Sequence, residues 1–203
     1  MARESDILEC DVDVWLVSLE SDGETILSRD EEIRAARFRF ESDRARWIRA
    51  RSALRLILSQ YTGIPPEHIR FSFGPHGKPA LADHTSVEFS LSHSGTWAIV
   101  AVTRGVPVGV DIERIRENLN MAALLRRLGE TSLPTGQTDL FDAWTRREAM
   151  TKAVGGALLD TPTGDLRTCH LDAPEGYSAA VALIGHNPRI RRQNAPAFHF
   201  GAV

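Results

Sequence analysis

Apolar and polar positions alternate or cluster along the chain in ways that predict most of its elements. Residues 11–19 (DVDVWLVSL) are rich in β-branched and apolar side chains and predict a strand. Ser28, followed by Asp30, Glu31 and Glu32, predicts a helix start that suits the helix dipole. Ser42 and Asp43 open a longer predicted helix reaching Tyr61, on which Trp47, Ala50, Leu54, Ile57, Leu58 and Tyr61 form one stripe at about 100° per residue. Arg46 and Arg51 flank that stripe on opposite edges, whereas Arg49 points away from it. Further strands are predicted at 69–73, 87–92, 97–103, 106–113, 166–171 and 178–184, with helices at 118–128 and 138–154. The short turn at Arg104 and Gly105 predicts an antiparallel hairpin between the strands on either side of it. The tail from Pro188 reads as basic and irregular.

Both parts of the chain therefore run strand, helices, strands, joined near Arg104 and Gly105. The predicted class is α+β with mostly antiparallel sheets, divided into an N-terminal half (1–104) and a C-terminal half (105–203). No sequence repeat is visible at that period.

Composition narrows the function classes. The chain has 203 residues, 42% hydrophobic and 25% charged, as a globular domain does. Its apolar stretches fall far short of the roughly 18 residues needed to span a bilayer, and the acidic start (MARESD) has no apolar core for a secretory signal. Cys10 and Cys169 show neither metal-ligand spacing nor a disulfide framework, which points to the cytoplasm. A net charge of −3 gives no reason to expect nucleic-acid binding. Of 24 basic residues only Lys78 and Lys152 are lysines, so a compact ammonium is available at two places only.

Four segments carry candidate chemistry, and each has an ordinary structural reading beside it. In GVDIE (109–113) strand alternation puts Asp111 and Glu113 on one face, where they repel unless a cation, a proton or solvent relieves them. A solvated strand end is the plain alternative. In WTRREAMTK (144–152) Glu148 and Lys152 project from the same side of a helix as Phe141. They are either an i,i+4 salt bridge or a metal carboxylate with a phosphate-binding ammonium. FSLSHSG (89–95) is either a polar turn or a donor cluster in which His93 and serine hydroxyls hold a phosphate, and the GxSxG elbow of hydrolases is absent. Between Arg29 and Arg55 nine arginines stand against five acids, a solvated basic face or a subset converging on a phosphorylated ligand. GKP at 77–79 could place Lys78 there or be a common turn. No Walker loop or GxGxxG occurs.

The order GKPAL, FSLSHSG, VGVDIE, WTRREAMTKAVGGAL resembles the Sfp-type 4′-phosphopantetheinyl transferases, and RFRFESDRAR (37–46) resembles their N-terminal half. The resemblance runs from Arg34 to Leu158. It implies a pseudo-dimeric fold of two similar α+β halves in one chain, with the active site in the cleft between them. The implied reaction moves the phosphopantetheine arm of coenzyme A onto a serine of an apo acyl or peptidyl carrier protein, releasing adenosine 3′,5′-bisphosphate. By motif match it implies Asp111, Glu113 and Glu148 as magnesium ligands, Glu113 partly through water. The carrier serine needs its proton removed, and Glu148, directly or through a metal-bound water, is the candidate base; Lys152 matches the lysine facing the diphosphate and would neutralise charge on the leaving group. His93 resembles the contact to the coenzyme 3′-phosphate, with Ser92 beside it. Lys78 and Pro79 match the segment lining the adenine and phosphate end, and Arg34, Arg46 and Arg51 match basic positions near the phosphates.

One segment departs from the family pattern. Residues 125–138 (LRRLGETSLPTGQT) are short and lack the paired phenylalanines of the carrier-docking region. Many members carry another acid in this stretch, for which Glu130 could substitute, and Met121 and Leu125 are docking candidates, with core packing the expected role of at least one. The expected partners are thus coenzyme A and a carrier of fatty acid, polyketide or nonribosomal peptide synthesis, engaged by a monomer. A coenzyme-binding module without catalysis would lack one of the acids or lysines, and a phosphohydrolase would act with no carrier present.

Overall fold

The computed structural model describes residues 8–20, 23–83, 86–157 and 160–193; the first six residues and Leu158 lie outside them. Strand β1 (Glu9–Ser18) is followed by helix α1 (Arg29–Ala35) and the long helix α2 (Glu41–Thr62). Strands β2 (Phe71–Phe73), β3 (Pro79–Leu81), β4 (Val87–Ser94), β5 (Trp97–Arg104) and β6 (Val108–Arg114) come next. Helices α3 (Met121–Arg127) and α4 (Gln137–Val154) precede β7 (Leu166–Leu171), β8 (Tyr177–Ile184) and β9 (Asn187–Gln193).

The class is α+β and the sheets are mostly antiparallel, as the pattern predicts. One sheet has the order β4-β5-β1-β9 and a second the order β6-β8-β7, with β2 and β3 forming a ribbon. In both larger sheets the first strand of its segment pairs with the last of three, which pairs with the one before it. Period-two alternation sorts the core into layers. Trp15 and Val17 of β1 pack with Leu54, Ile57 and Leu58 of α2, while Val12 and Val14 face Val110, Ile112 and Val181 of the second sheet. On the far side of that sheet Ala180 and Ala182 meet Ala149 and Ala153 of α4. The layers run α2, first sheet, second sheet, α4.

Two expectations fail. The strands flanking Arg104 and Gly105 do not form a hairpin: β5 pairs with β4 and β1, and β6 pairs with β8 in the other sheet. Gly105 adopts φ +71° and its N–H bonds Ser86, so the turn belongs to the β4–β5 end. Pro107, which has no N–H to give a ladder, then carries the chain out of the sheet. Nor is the described part of the tail, up to Gln193, irregular; residues 194–203 lie outside the described residues. It forms β9, parallel to the edge of β1, where Arg189 and Arg191, two residues apart, both pair with Asp11. An edge position tolerates Pro188. At finer scale, α2 begins at Glu41 after an uncapped Phe40 rather than at Ser42, and α3 begins after Asn120, whose side chain accepts from Ala123 N–H.

Candidate active site

The two larger sheets meet edge to edge, β4 of the first beside β6 of the second, and the join is made by serine side chains. Ser90 Oγ accepts from the Val110 N–H at 3.1 Å, and Ser94 Oγ accepts from the Arg114 N–H at 3.1 Å. Ser92 Oγ donates to Asp111 Oδ1 at 2.7 Å and Ser94 Oγ to Glu113 Oε2 at 2.7 Å. Ser90 and Ser94 thus take up two backbone donors of an edge strand that would otherwise be unpaired, and Ser92 and Ser94 orient the two acids of GVDIE. Read as a sequence, FSLSHSG is either a polar turn or a donor cluster in which His93 and serine hydroxyls hold a phosphate, and only Ser92 is named as a site residue, by the resemblance. The signal for Ser90 and Ser94 was the serine at every second position.

Helix α4 brings the third acid. Its first turn follows Gly136 and it stops at Gly155, where φ is +68°. Ala149 and Ala153 let it lie close on β6 and β8, and Glu148 and Lys152 emerge beside Asp111. Lys152 Nζ donates to Asp111 Oδ1 at 2.6 Å and to Ser92 Oγ at 2.9 Å. The ammonium therefore pairs with Asp111 rather than with Glu148, its helix neighbour. Asp111 Oδ2 and Glu148 Oε1 are buried with no hydrogen-bond partner. Burial, then the Asp111 charge, push the Glu148 carboxyl up to about 7. Burial also raises Glu113, with Asp111 adding to the effect against the Ser94 hydrogen bond.

Buried, unpaired carboxylate oxygens are rare because they are costly, and a cluster of them is relieved by a cation. Among the described residues no three His, Cys, Asp or Glu side chains already converge on a common metal position. The donor set nevertheless suits magnesium, which takes few protein carboxylates and completes its shell with water and phosphate oxygens. Asp111 and Glu148 each offer a free oxygen for it.

From these acids a row of cavities leads away. One of about 270 Å³ is walled by Lys78, Pro79, Leu91, Glu148 and Lys152. The next, about 180 Å³, shares Gly77, Pro79 and Leu91 with it and adds Trp47, Arg34, Arg51 and His93. The third, about 400 Å³, shares Arg34, Arg51 and Phe73 with the second. Lys78 Nζ donates to the Val108 carbonyl at 3.0 Å, and burial holds its ammonium below the ordinary lysine range. His93 is exposed; partial desolvation, then the Lys152 charge, hold it below the usual histidine value. Arg34 stacks over Trp47 at 5.5 Å from the ring centre.

The structure thus gathers Glu148, Lys152, Lys78, Pro79, His93, Arg34 and Arg51 along one row of cavities, with Asp111 and Glu113 beside its Lys152 end. Two residues depart from their expected places. Ser92 is buried and spends its hydroxyl on Asp111 and Lys152 instead of presenting it to a ligand. Arg46 lines none of these three cavities and has Asp43 3.9 Å away. Met121 and Leu125, expected as docking candidates, are both buried against Phe141 and Trp144, so core packing accounts for the pair. Glu130 forms an ion pair at 3.2 Å with Arg147, a buried residue of α4, and so holds the loop of residues 125–138 to that helix.

With this geometry in place, comparison with known proteins is decisive. Residues 21–105 match the family model described as 4′-phosphopantetheinyl transferase, N-terminal. The 4′-phosphopantetheinyl transferase HetI of Nostoc sp. is 33% identical over 88% of this chain and 90% of its own length. The chain belongs to the 4′-phosphopantetheinyl transferase family. Sfp of Bacillus subtilis is 28% identical over 66% of this chain and 62% of its own, and AcpT of Escherichia coli 37% over 56% and 60%. The segments GKP, SHS, GVDIE and WTRREAMTK of this transferase-family chain are separate in sequence, and its fold brings them to one cleft.

Proposed function

We propose that this chain transfers the phosphopantetheine arm of coenzyme A to a serine of an apo acyl or peptidyl carrier protein, as a magnesium-dependent holo-carrier-protein synthase. The carrying observation is the pair of unpartnered buried oxygens on Asp111 and Glu148 beside the Lys152 ammonium, at one end of a cleft lined with basic side chains. Both walls of the cleft come from one chain, so a monomer is sufficient. Coenzyme A lies along the three cavities with its diphosphate by Lys152 and its nucleotide end by His93, Arg51 and Arg34. Pro79, Leu91 and Trp47 line the stretch between.

Asp111, Glu113 and Glu148 would hold magnesium, which when bound supplies positive charge to the diphosphate and makes phosphorus more electrophilic. The chain's own groups do the rest. The carrier serine oxygen forms a bond to the pantetheine-side phosphorus as the phosphoanhydride bond to adenosine 3′,5′-bisphosphate breaks. Glu148 takes the serine proton through its carboxylate. Lys152 neutralises the charge growing on the departing bisphosphate. Its hydrogen bonds to Asp111 and Ser92 hold the ammonium in place before the reaction begins.

Incubation with an apo carrier, coenzyme A and magnesium is expected to add one phosphopantetheine group to the carrier, read by intact mass and abolished by chelator. No gain on both acyl and peptidyl carriers defeats the proposal, and free phosphopantetheine formed without a carrier points to a phosphohydrolase. Lys152→Met is expected to lower kcat by about a hundredfold, the usual scale for one charged transition-state contact, and to raise KM for coenzyme A far less. A change confined to KM defeats the leaving-group role.

A further inference from the structure

At the far end of the cleft from the acids, one buried carboxylate holds two buried guanidinium groups. Glu31 of α1, 6% exposed, accepts from Arg51 Nε through Oε1 and from Arg55 Nε through Oε2, at 2.5 and 2.8 Å. Its Oε2 also accepts from the Ser28 N–H at 2.8 Å, closing a capping box at the start of α1. Burial pushes the Glu31 carboxyl up, but hydrogen bonds from Arg55 and the Ser28 N–H, with the charges of Arg51 and Arg55, outweigh it and leave it below its ordinary range.

The two arginines are used differently. Arg55 Nη1 donates to the carbonyls of Pro66 and Ile69 at 2.7 and 2.9 Å, and its Nη2 also lies 2.8 Å from Glu31. Arg55 lines only the outermost of the three cavities. Arg51 gives Glu31 its Nε, and its guanidinium lies 4.3 Å from the Phe71 ring centre. Among the described residues no hydrogen bond takes up its terminal nitrogens, and it walls both of the cavities at this end. One carboxylate between two guanidiniums leaves one positive charge uncompensated, and the group with free donors is Arg51. Such a fork with one edge held and the other open is suited to a phosphate oxygen pair.

We infer that Glu31 is a positioning residue: it fixes Arg51 for the ribose 3′-phosphate of coenzyme A and thereby sets the preference for that phosphomonoester over a bare ribose hydroxyl. This rests on the proposed placement of coenzyme A in the cleft. Through the capping box Glu31 also seats α1, which carries Arg34, one turn further on, into the same two cavities. Glu31 also lines the outermost of these cavities beside Arg51; a carboxylate repels a phosphate, so its favourable effect on the phosphomonoester runs through Arg51.

The test is Glu31→Gln, which keeps size and an acceptor oxygen while removing the charge. Transfer kinetics are measured with coenzyme A and with 3′-dephospho-coenzyme A, and calorimetry measures binding of adenosine 3′,5′-bisphosphate and of 5′-AMP. The variant is expected to raise KM for coenzyme A about tenfold and weaken the bisphosphate about tenfold, the scale of one charge-assisted contact. The dephospho donor, 5′-AMP and kcat should move by no more than about twofold. In an Arg51→Gln background the same substitution should add about nothing to the preference, because the two residues act as one unit. Equal losses for both donors and both nucleotides, or an undiminished effect without Arg51, overturn the inference and leave Glu31 a stability residue. Should Glu31→Gln fail to fold by circular dichroism, Glu31→Asp retains the charge one methylene further away and must shift the same ratio, or the inference falls. Absence of transfer in the parent protein would defeat the proposed function instead, while preferential binding of the bisphosphate over 5′-AMP would still report on Glu31 and Arg51.

Discussion

Glu148→Gln is expected to remove transfer by about a thousandfold or more, the scale of losing a base and a charge contact together, while the protein melts no lower than its parent in chelator. The stability half of this expectation follows from the surroundings of the side chain. Glu148 is buried, its Oε1 has no partner, and Asp111 and Glu113 add negative charge to a site that already disfavours it. Most buried polar groups contribute to folding through their hydrogen bonds; this one is held against its own desolvation. A neutral amide of the same shape removes that cost, and no hydrogen bond of Oε1 is lost with it. The two readouts are a mass-based transfer assay and thermal denaturation with and without magnesium. Magnesium should raise the melting temperature of the parent, since a ligand of the native state stabilises it, and should raise that of the variant much less. A variant that loses several degrees in chelator would show that Glu148 is a structural residue, and a variant retaining full transfer would remove it from the site.

The strength of that expectation differs from residue to residue according to how local the determining contacts are. Strand alternation sufficed to put Asp111 and Glu113 on one face, and helical spacing sufficed to put Glu148 and Lys152 on one side. These are i,i+2 and i,i+4 relations, and nothing distant can alter them. The partner of Lys152 was out of reach of such reasoning. A Glu148–Lys152 salt bridge was the plain reading, and it loses because β6 presents Asp111 to the same ammonium from the neighbouring sheet. Arg46 and Arg51 looked equivalent as the two edges of an apolar stripe. Arg51 is the one that is buried, because Glu31, twenty residues earlier, supplies the charge that lets a guanidinium leave water. The hairpin expected at Gly105 failed for the same kind of reason: a short turn permits pairing of its flanking strands, and a better partner for β6 lay more than sixty residues downstream in β8. Strand β9 was missed because its arginines and proline argue against a strand until the acidic edge of β1 is there to receive them.

The glycine of the GVDIE motif is the position where sequence and structure combine into the sharpest expectation. Gly109→Ala should cost at least about 3 kcal/mol, the upper part of the range for overpacking a tight contact, and should take most of the activity with it. Its backbone conformation does not demand glycine, since Gly109 is absent from the residues with positive φ. The demand is spatial. A Cβ built at this position would lie 1.9 Å from the Ala149 carbonyl oxygen and 2.4 Å from the Ala153 nitrogen. Both atoms are backbone of α4, so no rotamer change relieves the overlap and the helix itself must move away from β6. Residues 148 and 152, next to those two alanines, are the acid and the ammonium that meet Asp111 two positions along the strand. Displacing α4 by even an ångström therefore separates the two halves of the site at the contact that matters most, Lys152 Nζ to Asp111 Oδ1 at 2.6 Å. The measurement is a denaturant titration paired with the transfer assay. Ala153→Gly in the Gly109→Ala background should recover little, because the clash is with backbone atoms that every residue carries. Normal stability and normal turnover in Gly109→Ala would mean that α4 does not rest on β6 at this distance, and the placement of Glu148 and Lys152 beside Asp111 would fall with it.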